Sequence, residues 1–122
     1  MLLIAIVFVY YYINPSEVDF LPKCILFTTT GLYCPGCGSQ RATHHLLNFN
    51  ILGVLQQNLF YFVVLLLVVY HLIISSINLL FKKHIYNYLY HPKTPVLFLI
   101  FLILFWILRN IPFFPFNQLA PK

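Results

Sequence analysis

Three apolar runs, separated by stretches that mix polar residues with glycine and proline, set the layout of the chain. Met1 to Ile13 is uninterrupted until Asn14-Pro15, and a residue before proline disfavours helix, so the first helix stops there. Leu59 to Phe81 carries no charge at all, and Val96 to Leu108 follows Thr94-Pro95, a threonine N-cap with proline at the first helical position. As helices the three runs measure about 20, 34 and 20 Å, against a hydrocarbon core of about 30 Å. The third must therefore carry Arg109 and Asn110 toward its far interface before Pro112 and Pro115 break it. Between the first two runs, Asn50 can cap a short helix over Ile51 to Gln57. Its Leu52 and Leu55 continue into Leu59 at spacings of three and four, as in an interfacial helix that feeds the second run through Asn58. The pattern predicts an all-α integral membrane protein, one domain over residues 1–122. It has about three short transmembrane helices, near 1–13, 59–81 and 95–110, with a cysteine-rich loop and interfacial helices in 14–58.

Composition sharpens this. The 122 residues are 61% hydrophobic and 7% charged, whereas about a quarter of an ordinary soluble domain is charged, so a soluble monomer is excluded. A cleaved signal peptide is disfavoured for the first run, which lacks a basic start and ends in Tyr10-Tyr11-Tyr12. The net charge of +5 comes from scattered residues, Lys23, Arg41, Lys82, Lys83, Lys93, Arg109 and Lys122, from which no nucleic-acid face can be built. Lys82, Lys83 and Lys93 flank the long span and suit lipid headgroups. The positive-inside rule then puts that linker in the cytoplasm and the 14–58 loop outside, provided Arg41 and Arg109 are held by the fold. His71, Ser75, Ser76 and Asn78 in the long span are read as partners of backbone or neighbouring helices. Short spans with exposed apolar faces predict a homo-oligomer or a larger membrane partner.

Candidate chemistry is concentrated in TGLYCPGCGSQRATHHLL, Thr30 to Leu47. A helix opening at Pro35 places Cys34 at its N-cap and Cys37 in its first turn, where the dipole favours a thiolate. Arg41, four residues past Cys37, falls on the same face and would stabilise that thiolate. Such a dithiol suits thiol-disulfide exchange. Cys24, Cys34, Cys37 and His44 also make up a Cys3His zinc set, but a helix from Pro35 carries His44 about 10 Å along the axis from Cys37. Zinc then requires a helix that begins after Gly38, or His45, or a ligand from a second chain. Haem attachment is excluded because Gly38, not histidine, follows Cys37. For the cysteines alone, structural bracing by a Cys34–Cys37 or Cys24–Cys34 disulfide ranks ahead of both chemistries.

Together with Pro15, Pro22-Lys23-Cys24, Asn58 and Arg109-Asn110-Ile111-Pro112, this stretch resembles a family of small bacterial multi-pass membrane proteins, domain-of-unknown-function family 2752, whose mark is CPxCGxxR. The resemblance runs from about Pro15 to Pro121. It implies a helical unit in the bacterial inner membrane, with the cysteine motif heading a helix after the first span. Gly31, Cys34, Pro35, Cys37, Gly38, Arg41, Asn58, Arg109, Asn110 and Pro112 match its motif, and Cys24 and His44 match one branch. It carries no activity.

With three spans, the end of the third helix returns to the side of the CPGC turn. This suggests a polar cluster of Cys34, Cys37, Arg41, Arg109, Asn110 and either Glu17 or Asp19, although on residue type alone Arg109 is expected to snorkel to headgroups. The leading expectation is a non-enzymatic accessory or interaction protein with a structural Cys/Arg motif and no cofactor. A membrane thiol-disulfide oxidoreductase comes second and a metal-binding membrane protein, with zinc, third.

Overall fold

The computed structural model describes residues 1–19 and 21–121; Phe20 and the basic residue Lys122 lie outside the described residues. These form six α-helices, α1 (Leu2–Tyr12), α2 (Ile25–Thr30), α3 (Ser39–Leu47), α4 (Ile51–Gln57), α5 (Leu59–Phe81) and α6 (Thr94–Arg109), with 3-10 turns at Tyr88–Tyr90 and Phe116–Leu119. No strand occurs among the described residues. Only α5, with 23 residues, is long and apolar enough among them to cross a membrane, while α1 and α6 are shorter.

Local chemistry explains most of the boundaries. Asn50 Oδ1 accepts the Gly53 N–H at 3.0 Å and starts α4, and Asn58 Oδ1 accepts the Tyr61 N–H at 3.0 Å and starts α5. Gly31, at φ +74°, closes α2 with its N–H on the Phe27 carbonyl. At α6 the expected cap is not used. The helix already includes Thr94, whose hydroxyl donates instead to the Tyr88 carbonyl at 2.7 Å and ties the helix to the preceding turn.

A larger departure concerns α3, which begins at Ser39 rather than at Pro35. Residues 35–38 form consecutive tight turns, closed by Cys37 N–H to Cys34 O and Ser39 N–H to Gly36 O. Two causes combine. Gly38 sits at φ +84°, outside the helical region. The carbonyls of Pro35 and Cys37, which a helix would use internally, are instead occupied by Asn58 Nδ2 at 2.9 and 3.1 Å.

The linker after α5 does not simply leave the helix end. Lys82 turns the chain at φ +50°, and residues 83–88 run back along α5. Asn78 exchanges two hydrogen bonds with Ile85, Asn87 Nδ2 meets His71 Nδ1 at 2.8 Å, and the Tyr88 N–H reaches the Tyr70 hydroxyl. Tyr70, His71 and Asn78 of the long helix thus serve its own linker. In consequence α6 starts beside the middle of α5, so 16 residues suffice to bring Arg109 past the start of α5. Phe60 stacks against Phe98, Phe101 and Phe105 along this contact.

Polar side chains share the interior with apolar ones, and many large apolar side chains are exposed. The bulkiest fully buried side chains are Arg109, Val54 and Asn58, while α1 and the outer faces of α5 and α6 expose leucine, isoleucine, valine and phenylalanine. At its closest approach α4 lies on α3 through Gly53, where an added Cβ would come within 2.6 Å of the His45 ring. Alanine has the better helix propensity by about 1 kcal/mol, but displacing a packed ring costs about 1–3 kcal/mol. Gly53→Ala should therefore lower the melting temperature in detergent micelles, and an unchanged or raised value would show that His45 moves aside freely.

Candidate functional site

The centre of the molecule is the Tyr33–Cys37 segment, gripped by its backbone. Arg109, at the end of α6 and 1% exposed, directs its guanidinium at four carbonyls. Nη1 donates to Cys34 O at 3.1 Å and to Pro35 O at 3.2 Å, and Nη2 to Gln57 O at 3.2 Å and to Cys37 O. Asn110 adds a two-point clasp on Tyr33, accepting its N–H at 2.8 Å and donating to its carbonyl at 2.9 Å. The rings of Tyr33 and Phe105 flank the guanidinium at 5.8 and 5.5 Å. Gly38 permits close approach: a Cβ there would meet the Gln57 carbonyl at 2.5 Å and Pro121 at 3.0 Å.

Two sequence expectations change here. Arg109 does not snorkel, because the carbonyls of the turn and of Gln57 offer acceptors to both of its terminal nitrogens, although its Nε–H is buried without a partner among the described residues. Nor does the polar cluster include an acid. Glu17 accepts from Asn14 at 3.4 Å, and Asp19 pairs with Lys23 at 2.7 Å. Arg41, moved by the later start of α3, lies in the wall of the cavity beside the cysteines rather than in the expected helical register over Cys37. Pro112 follows the Asn110 cap that ends α6.

With the backbone held, three thiols converge. Cys34 Sγ lies 3.2 Å from Cys24 Sγ and 3.3 Å from Cys37 Sγ, and all three sulfurs fall within 4.8 Å of one another. The cysteines are free thiols, with Cys37 buried and the other two partly exposed. Sulfurs around a tetrahedral zinc at 2.3 Å stand about 3.8 Å apart, so this triangle needs only a small adjustment to hold one ion. His44 is not part of it. Its Nδ1 meets the Tyr10 carbonyl of α1 at 2.8 Å, an acceptor that requires the proton on Nδ1. His45 turns to Asn50, 3.4 Å away. The later start of α3 removes the axial objection to His44, but α1 has claimed its ring.

The thiols differ electrostatically. Burial, then the neighbouring thiols of Cys24 and Cys34, push Cys37 up to about 12. Burial also opposes a Cys24 thiolate, but attraction to the backbone N–H of Phe27, the thiols of Cys34 and Cys37 and the N–H of Leu26 outweighs it and brings Cys24 down to about 7. The sequence offers either Cys34 or Cys37 as the more reactive thiol; burial disfavours a Cys37 thiolate, and the thiol brought lowest is Cys24. The triangle opens onto a cavity of about 640 Å³, whose wall includes Lys23, Gln40, Arg41, Phe27, Tyr33 and Pro121.

Residues 24–72 match the family described as "Protein of unknown function (DUF2752)". The match begins at the first cysteine of the cluster, takes in α2, α3 and α4 and ends within α5. It is narrower than the resemblance read from Pro15 to Pro121, and Arg109 and Asn110 lie beyond it. No curated protein and no solved structure matches the chain. Gln57, Tyr33 and Pro121 were not singled out in the sequence, since they contribute through backbone or packing that no motif spacing announces.

Removing the guanidinium takes a charged donor from each of four carbonyls at once, a loss of about 3 kcal/mol or more. Arg109→Met should be correspondingly destabilised in thermal unfolding, and Arg109→Lys should recover only part, since an ammonium cannot span four carbonyls. In the reduced, metal-free protein, Cys24 should alkylate first. Its rate should fall as pH drops through about 7 and its thiolate is protonated, while Cys37 stays unreactive throughout the neutral range. Mass-spectrometric mapping of the label checks both, and faster labelling of Cys37 would contradict the assignment.

Proposed function

We propose that the chain is a non-enzymatic, multi-pass membrane protein that binds a metal ion, zinc first, through Cys24, Cys34 and Cys37. The convergence of three sulfurs within 4.8 Å carries this reading. A bracing disulfide needs two cysteines and a redox dithiol needs two, whereas a third delivered from the N-cap of α2 matches thiolate coordination. The frame fits the same role. Asn58, Arg109 and Asn110 grip the backbone carbonyls and amide around the cysteines, so the loop is held before any metal arrives.

In this reading α1, α5 and α6 all enter the bilayer, in support of which their exposed faces are apolar and Gln57, Asn58, Asn87 and Arg109 are among the buried side chains. The shorter α1 and α6 rely on neighbours or thinned lipid, which favours self-association or a larger membrane partner. The basic linker faces the cytoplasm and the cysteine cluster the outer side of a bacterial inner membrane. Burial of Arg109 supports this orientation by removing one charge from the outer count.

One observation favours a second reading, thiol-disulfide exchange: Cys34 lies within reach of both other thiols, and one of these is Cys24, with its pKa near 7. Metal analysis of protein purified under reducing conditions separates the two. About one zinc per chain is expected, lost in each of Cys24→Ser, Cys34→Ser and Cys37→Ser and kept in His44→Ala. Zinc-free wild type after reconstitution would overturn the metal reading, and a disulfide that then shifted between Cys24–Cys34 and Cys34–Cys37 would establish exchange.

A further inference from the structure

Three sulfurs fill only three of the four positions of a tetrahedral ion. The surroundings indicate what takes the last. Among the described residues no histidine or carboxylate joins the group of Cys24, Cys34 and Cys37. The nearest candidates in sequence are committed elsewhere: His44 to the Tyr10 carbonyl, His45 toward Asn50, and Asp19 to Lys23. Beside the thiols lies the cavity of about 640 Å³, far larger than one water and within the range of small-molecule pockets. Aromatic Phe27 and Tyr33 line it together with Asp19, Lys23, Gln40 and Arg41.

Building on the metal assignment above, we propose that the fourth position is kept for a small anionic thiol that enters through this cavity and binds the ion by its sulfur. Three considerations converge. Three thiolates make a soft site that prefers a soft fourth ligand. At the wall Lys23 is paired with Asp19, and Arg41 adds a further cation, so the lining keeps a net positive charge that favours a negatively charged molecule over a neutral one. The volume leaves room for the ligand's body as well as its sulfur. Binding is a substitution without redox change: the metal–sulfur bond forms as bound water departs, and the thiol proton passes to solvent. The protein is thereby suited to exchange its metal with a carrier thiol rather than to bury it as a structural ion, for which a fourth side chain would close the site.

The test uses full-length protein in detergent, loaded with cobalt(II) as a spectroscopic stand-in for zinc, and titrated with mercaptoethanesulfonate or with neutral 2-mercaptoethanol. The sulfur-to-cobalt charge-transfer band should grow by about one third as four sulfurs replace three. The anionic thiol should saturate at lower concentration than the neutral one. In Arg41→Gln, compared at equal cobalt occupancy, that preference should shrink by up to about fivefold, the scale of a solvent-screened charge contact. A cobalt spectrum that neither thiol alters would overturn the proposal and place the fourth ligand within the chain, with the three-cysteine site intact. Equal binding of the two thiols, or an unchanged preference in Arg41→Gln, would overturn the anion selectivity. Failure to take up cobalt at all would instead remove the metal reading on which the proposal rests.

Discussion

The fold depends on one buried cation that has no anion. The guanidinium of Arg109 is stabilised by the oxygen ends of four peptide dipoles, those of Cys34, Pro35, Cys37 and Gln57, and not by a carboxylate. The planar five-donor fork is what makes this feasible, because a single group can address carbonyls belonging to a turn, to the end of α4 and, through its own chain, to α6. Remove the fork and three elements lose their common point. Asn58 and Asn110 extend the arrangement, one as cap and turn-clasp together, the other as a mimic of a paired strand.

The buried centre is thus rich in polar groups, with Gln57, Asn58, Asn87 and Arg109 beside Val54 and Phe105. A buried peptide group without a partner is costly, and asparagine side chains are spent on backbone. Asn50, Asn58, Asn78, Asn87 and Asn110 all bond main-chain groups. The linker that runs back along α5 follows the same logic. It borrows Asn78, His71 and Tyr70 from the helix to satisfy an extended segment that would otherwise lack partners.

Much of this architecture was legible from local signals. The apolar run Leu59 to Phe81, the Asn50 cap and the Asn58 junction all coincide with observed elements, since each rests on chemistry within a few residues. The approach of Arg109 to the cysteine turn followed from the topology of the apolar runs. What failed were inferences in which local propensity was opposed by distant partners. Pro35 is an acceptable helix opener, but Asn58 and Arg109, 23 and 74 residues away, withdraw the carbonyls such a helix would need. His44 has a plausible ligand spacing, but a carbonyl of α1 binds it. Arginine at a helix end usually reaches for headgroups, and nothing near Arg109 in sequence reveals the cage that it fills.

The hydrogen bonds by which Asn58, Arg109 and Asn110 grip the Tyr33–Cys37 segment all go to peptide oxygen or nitrogen, and none to a sulfur. Beyond the Tyr33 ring against the guanidinium, a proline where the turn begins and a glycine where α3 is about to start, these bonds do not read the letters they hold. The frame and its chemical payload are therefore separable in evolution: the thiols can be traded for other donors, or lost, while the socket persists. Residues that hold such a socket and residues that act in it need not change together.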